Sequence, residues 1–299
     1  MATVPLRVPL EDPASVTVSR VEALWRTMKK KPLGAFSAAL LVVIVLMAIF
    51  ADVLAPYDPL ETHPEIRLSA PSRAHPFGTD DIGRDVLSRI IYGARISLWV
   101  GLLAVGIGTA AGMVIGLLCG YCEGRLDLIV QRVMDAIQAI PGLVLALAIV
   151  AVLKPNTTNA MLAIAVVIIP GNSRIVRGAV LSAKQNRYVE AAQAMGCRHP
   201  RIIMTHILPN VTAPILVIAS IWLGNAILIE ATLSFLGVGT QPPTPSWGLM
   251  LSSTGRAFME QAPWLAIFPG LAISLAVLGF NLFGDTLRDA WDPKLRRNG

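Results

Sequence analysis

The sequence predicts an all-α integral membrane protein with six transmembrane helices, and three observations predict it. Hydrophobic residues fill 54% of the 299 positions and charged residues only 15%, with a mean hydropathy of +0.63. So little polar surface could not enclose a soluble core of this length. Apolar runs of about 20 residues, the length of a bilayer-crossing helix, recur along the chain. Most of the 25 Lys and Arg residues fall in alternate connections, the asymmetry that orients multi-pass proteins.

The first run covers 33–55. It follows an N-terminal segment, 1–32, in which Trp25, Arg26, Lys29, Lys30 and Lys31 form a basic stretch suited to a surface of anionic membrane lipid. This run is longer than a signal-peptide core, and no small-residue cleavage site follows it, so it is expected to stay in the mature protein. Residues 56–96 read as an external loop. Its Arg67, Arg73, Arg84, Arg89 and Arg95 are accompanied by Asp58, Glu61, Glu65, Asp80, Asp81 and Asp85, which leaves the segment near neutral.

The second run, 97–119, carries Gly108, Gly112 and Gly116, with Gly120 just beyond it and Ala104 ahead. Residues four apart share a helix face, so this row is a groove for close helix packing, either within the chain or across a dimer. Runs three to six cover 133–153, 160–180, 213–236 and 265–283. The fourth is interrupted by Pro170, Asn172 and Arg174. An even number of crossings puts both termini on one side, and the basic bias makes that side the cytoplasm. The membrane core is then 97–285, with a cytoplasmic tail at 286–299. The charge of +6 is spread along membrane flanks and does not indicate nucleic acid.

Between the fourth and fifth runs lies a polar hairpin, 184–210. A short helix is expected from about Lys184 to Met195, a break at Gly196, and a second helix from about His199 stopped by Pro209. Glycine takes the positive φ of a tight turn, and proline lacks a helical donor. Ala191 and Ala192 would leave a bare surface beside Glu190 for another protein. A plain surface connector would have the same elements.

Charged residues inside spans are costly and face protein or water. Glu230 lies deep in the fifth run, with Asn225 before it and Ser234 one turn on. These three are candidates for a polar substrate path, or for an interhelical bond, for example to Asn281. Near the end of the sixth run, Asp285, Arg288, Asp289 and Asp292 are spaced to pair and fix the helix end. The proline-rich stretch from Gln241 to Trp247 is expected as a stiff external loop, with Trp247 and Trp264 at the membrane interface. Cys119 and Cys122 form a CxxC and Cys197 stands alone. Without a second ligand pair they read as packing residues, and no metal site is expected.

The spacing of Glu190-Ala191-Ala192, Gly196 and Leu208-Pro209 resembles the EAA loop of ABC-transporter permeases, with His206 where that pattern has an apolar residue. Further stretches agree in order: His75-Pro-Phe-Gly78-Thr-Asp80-Asp81-Ile-Gly83-Arg84-Asp85 through Arg89, Leu233-Ser-Phe-Leu-Gly237, Gln241 to Trp247-Gly248, and Phe280-Asn281-Leu-Phe-Gly284-Asp285 with Arg288-Asp289 and Asp292-Pro293. Together they resemble the second permease subunit of peptide-type ABC importers. That resemblance implies the type I ABC importer permease fold in a bacterial inner membrane. It also implies a homologous permease partner, two ATPase subunits and an external substrate-binding protein. The hairpin would sit in a groove on an ATPase through Glu190, Gly196, Ala191 and Ala192. Arg187, Arg198 and Arg201 would be ionic partners, and Pro209 would close the motif. Asp80, Arg84, Asp85 and Trp247 become candidates for external contacts.

No G-x-x-x-x-G-K-[ST] occurs in the chain, so ATP and Mg are expected on the partner ATPases, with no cofactor and no catalytic residue here. The cargo implied is di- or oligopeptides; glutathione, a nickel chelate or an oligosaccharide fits the same machinery. An ion-coupled secondary transporter using Glu230 would show internal repeats and matching broken helices, and none is found. A membrane-embedded hydrolase would need His or paired Asp within the spans, and the four His residues lie outside them.

Overall fold

A computed structural model describes residues 32–252 and 258–291. The basic stretch at 25–31, Asp292, Pro293 and the rest of the tail lie outside the described residues. Regular structure among those described is helical apart from one isolated bridge between Thr79 and Asp85. The main helices are α1 (Pro32–Ile49), α2 (Val86–Cys122), α3 (Gly124–Gln138), α4 (Gly142–Leu153), α5 (Thr157–Lys184), α6 (Arg187–Ala194), α7 (Leu208–Phe235), α8 (Trp247–Leu251) and α9 (Trp264–Trp291).

Among the described residues, five helices are long and apolar enough to cross a membrane: α1, α2, α5, α9 and the helix that ends in α7. The expected third span at 133–153 is corrected. The chain there is two helices, α3 and α4, bent by 90° at 139–141. Pro141 has no N–H to continue the hydrogen-bond ladder, and Arg132, Asp135 and Gln138 keep the preceding helix amphipathic. A crossing is nevertheless required at this point. Gly108 faces Ala165 and Ile168 while Gly120 faces Val180, so α2 and α5 run side by side in the same direction. The α3–α4 pair must carry the chain back between them, which makes six passages.

The glycine row sits against α5 of the same chain. A Cβ at Gly112 would lie 2.7 Å from the Asn172 Cβ, and one at Gly116 would lie 2.6 Å from the Ser173 carbonyl oxygen. Cross-dimer packing of this row is thereby excluded: only glycine lets the two backbones approach this closely. Helix α7 runs antiparallel to α9, with Gly224 against Asn281 and Gly284 against Ser220. Helix α1 is peripheral. Its buried residues Gly34, Ser37, Leu41, Ile44 and Ala48 form one stripe, and Leu41 meets Gly279 of α9.

Two further boundaries differ from the sequence expectation. The first span stops at Ile49 and is followed by the short helix Ala51–Leu54. The external loop expected at 56–96 ends at 85, because Asp85 caps α2 by accepting from the Ser88 N–H at 2.8 Å. The charges in these early turns are satisfied: Arg95 donates to the Ala48 and Ile49 carbonyls, and Arg89 to the Pro59 carbonyl at 3.2 Å.

Candidate functional site

The hairpin opens where α5 stops at Lys184 and α6 begins at Arg187. Helix α6 closes in a Schellman motif. The Gly196 N–H bonds the Gln193 carbonyl at 2.9 Å, and the Cys197 N–H bonds the Ala192 carbonyl at 3.1 Å. Gly196 has φ +77°, and among the described residues no atom lies within 4 Å of where a Cβ would point. The turn therefore demands glycine for its backbone, and the space around it is open.

Val189, Ala192, Ile202 and Ile207 form the buried underside of the hairpin, joined in one apolar cluster to Leu117 and Tyr121 of α2 and Val176, Val180 and Ala183 of α5. Glu190, Ala191, Ala194, Met195, Gly196, Arg187, Arg198 and Arg201 form the exposed upper side. Ala192 is thus corrected from surface to core, at 1% exposure. Polar ties reinforce the seat. The Tyr121 hydroxyl lies 2.6 Å from His199 Nδ1, and the Lys184 ammonium donates to the Tyr121 carbonyl at 2.9 Å and pairs with Glu123 at 2.7 Å.

Pro209 does not stop the second helix, contrary to the sequence expectation. His199–Arg201 leads through a π-helical stretch, Ile202–Ile207, directly into α7. The wider π register accommodates Pro209 at the start of the α-helical part, where its missing donor costs little. Asn210 Nδ2 donates to the His206 carbonyl at 2.7 Å. The hairpin is therefore continuous with a membrane helix on its far side.

The candidates at the other end of the molecule are buried. Asp80 is 4% exposed and Asp85 3%. Asp80 accepts from the Ile82 and Arg84 N–H groups and pairs with Arg84 Nε at 2.7 Å. Asp85 holds Ser88 and, at 2.9 Å, His75 Nδ1. Trp247 is fully enclosed and donates to the Ile90 carbonyl at 2.9 Å, so it does not stand at a membrane interface. Trp264 binds the Thr79 carbonyl at 3.2 Å. These residues build a folded cap on the N-terminal ends of α2 and α9. Their burial corrects the view of Asp80, Asp85 and Trp247 as contact residues; Arg84, mostly covered, serves the same cap.

Glu230 is enclosed at 1% exposure and Ser234 at 0%. The carboxylate accepts from Ser234 at 2.8 Å, Ser97 of α2 at 3.1 Å and Thr240 at 3.3 Å. Its interhelical partner is Ser97, not Asn281. With every wall supplied by this chain, Glu230 and Ser234 face no path in this conformation; Asn225 remains partly exposed.

Sequence reasoning passed over a second polar assembly. Asp127 of α3 forms a two-point pair with Arg177 of α5 at 2.6 and 2.5 Å, and Asp135 pairs with Arg174 at 2.6 Å. Its signal was present as acidic residues eight apart on an amphipathic segment opposite basic residues three apart in a span.

The fold and hairpin define a membrane-embedded permease subunit, and the comparisons specify which. Residues 112–297 match the family described as "Binding-protein-dependent transport system inner membrane component", and residues 19–71 match the "N-terminal TM domain of oligopeptide transport permease C". The chain belongs to this family of ABC-importer permeases, in its second-permease branch. It is 46% identical to the dipeptide transport system permease protein DppC of Alkalihalophilus pseudofirmus, over 93% of this chain and 91% of that one. It is 43% identical to the di/tripeptide transport system permease protein DppC of Pseudomonas aeruginosa, covering 96% and 97%. It is also 43% identical to the glutathione transport system permease protein GsiD of Escherichia coli, covering 97% and 95%. The permease fold of the MetNI methionine ABC transporter, in an inward-facing conformation, superposes with a TM-score of 0.58 at 17% identity, over 69% of this chain and 98% of that one.

Proposed function

We propose that this chain forms half of the translocation path of an ATP-driven importer of di- or oligopeptides, with a homologous permease as the other half. Two ABC ATPases would drive it, and an external binding protein would deliver the cargo. Both termini and the hairpin face the cytoplasm in this reading, as the distribution of basic residues favours. ATP and Mg act on the ATPases.

The observation that carries the reading is the two-sided hairpin. Its upper face, Glu190, Ala191 and Gly196 with Arg187, Arg198 and Arg201 around it, is open for an ATPase groove. Its lower face is packed into the ends of α2 and α5 and continuous with α7. A push on the upper face therefore moves three membrane helices as one body. Such a push shifts the equilibrium between inward-open and outward-open states only if the ATPase contacts differ between them.

The peptide assignment is supported by relatives named for dipeptides, with glutathione, itself a tripeptide, in the same range of identity. Reconstitution of the co-purified complex in proteoliposomes, with its binding protein, tests it. Uptake of labelled di- and tripeptides that requires ATP and is competed by unlabelled peptide is the expected result. Uptake confined to nickel chelate or oligosaccharide would overturn the cargo, and uptake driven by a proton gradient without ATP would overturn the mechanism.

A further inference from the structure

Helix α3 is hinged at both ends. On one side Glu123 and Gly124 both have positive φ, +52° and +66°, and Gly124 has open space where a Cβ would point. On the other side the chain breaks by 90° at 139–141. Between the hinges lies a rigid helix of 15 residues whose only buried side chains are Asp127 and Met134. Leu128 and Ile129 on its apolar side are 62% exposed.

The Asp127–Arg177 and Asp135–Arg174 pairs bridge α3 to α5, Arg132 approaches Asp135 at 3.8 Å within α3, and a wide, open groove of ≈ 540 Å³ runs along the pairs. Gln131 lines this groove, and its Nε2 group is buried with no hydrogen-bond partner among the described residues. A helix held across an open groove by two ion pairs, with a break in the helical backbone at either end, has the attributes of an element that changes position.

We propose that α3 is a movable gate arm of the transport cycle, latched to α5 by the Asp127–Arg177 and Asp135–Arg174 pairs. The route to the latch is direct. Arg174 and Arg177 lie on the helix that ends at Lys184, immediately before the hairpin, and that helix carries the hairpin's apolar seat. Displacement of the hairpin shifts both arginines relative to their carboxylates, and α3 then turns about 123–124 and 139–141. The four charged residues act as positioning residues: they hold the arm and touch no cargo. The inference rests on the ATP-coupling reading above.

The test uses the full complex, with Cys122 and Cys197 replaced by Ser. Spin labels are placed at Leu128→Cys on α3 and Leu162→Cys on α5, both exposed. The distance is measured in the nucleotide-free complex and in one trapped with a non-hydrolysable ATP analogue. A change of ~5 Å or more, about one helical turn of travel, is expected. An unchanged distance overturns the proposal.

In parallel, Asp127→Asn and Arg177→Gln are compared with wild type for peptide taken up per ATP hydrolysed, at matched ATPase content. A fall of about fivefold or more is expected. A purely structural role would lower uptake and hydrolysis together and leave the ratio intact, so an unchanged ratio overturns the latch. ATPases missing from the wild-type preparation would overturn the coupling reading itself. ATPases present with a fixed α3 would overturn the arm alone.

Discussion

At the cap end of the molecule Trp247, Glu230, Asp80 and Asp85 are sealed inside the chain with their polar atoms engaged. At the hairpin end Glu190, Ala191 and Gly196 stand exposed, with empty space beside the glycine. Both ends carry sequence motifs of comparable length. The difference lies in what holds each motif: the cap residues answer to one another, whereas the hairpin's upper face stays uncovered among the described residues. A motif satisfied internally is scaffold, and one left open is an interface. This comparison predicts opposite responses to substitution.

The largest stability loss should come from Trp247→Ala, which empties a fully buried indole site and removes the Nε1–H bond to the Ile90 carbonyl of α2. About 3–5 kcal/mol is expected, read as a drop in the thermal midpoint of the purified complex; a midpoint within error of wild type would remove Trp247 from the scaffold. Gly112→Val should follow, at about 1–3 kcal/mol, because its Cβ would lie 2.7 Å from that of Asn172. Retained membrane abundance of that variant would show that α2 and α5 can part.

Glu230 sharpens the comparison at the same end. Glu230→Ala leaves the Ser97, Ser234 and Thr240 hydroxyls without their acceptor and should cost about 1–3 kcal/mol. Glu230→Gln keeps an acceptor oxygen and should cost less. Equal uptake per folded complex in both variants is the expected result, and selective loss of uptake in a fully stable Gln variant would return Glu230 to the path.

The smallest effect belongs to Asp52, at the exposed junction after α1. Hydrogen bonds from Arg95, and then from Tyr92, hold its carboxyl below the ordinary range. Its folded value lies below the unfolded one, so its contribution is present above the ordinary carboxylate range and fades as pH falls through the depressed value. Asp52→Asn should leave stability at neutral pH almost unchanged and flatten only the acid limb of the stability profile. A large neutral-pH loss would contradict that placement.

Much of the fold is legible in the sequence because bilayer length and apolar content act locally. The glycine row could be read as a packing face, yet its partner could not, since each glycine meets a residue 60 positions further on, Gly112 against Asn172 for example, and no spacing rule names it. The third span was misread for a related reason. Hydropathy averages over Val133 to Leu153 and passes over Pro141, while the Asp127 and Asp135 pairings depend on arginines in another helix. The turn at Gly196 was legible because the positive φ that demands glycine is a local property. The burial of Trp247 was not, because proline-rich spacing predicts a stiff loop and says nothing of what folds over it. Pro209 was misjudged because a π-helical stretch upstream moves it to a permissive position.

The central claim is that the open face of the hairpin receives an ATPase. A photo-crosslinking amino acid at Ala191, compared with one at Leu60 on the exposed cap, tests it most directly in native membranes. The account predicts an ATPase adduct from position 191 that Gly196→Val abolishes, and none from position 60. No ATPase adduct at 191 in a complex that still imports peptide would contradict it.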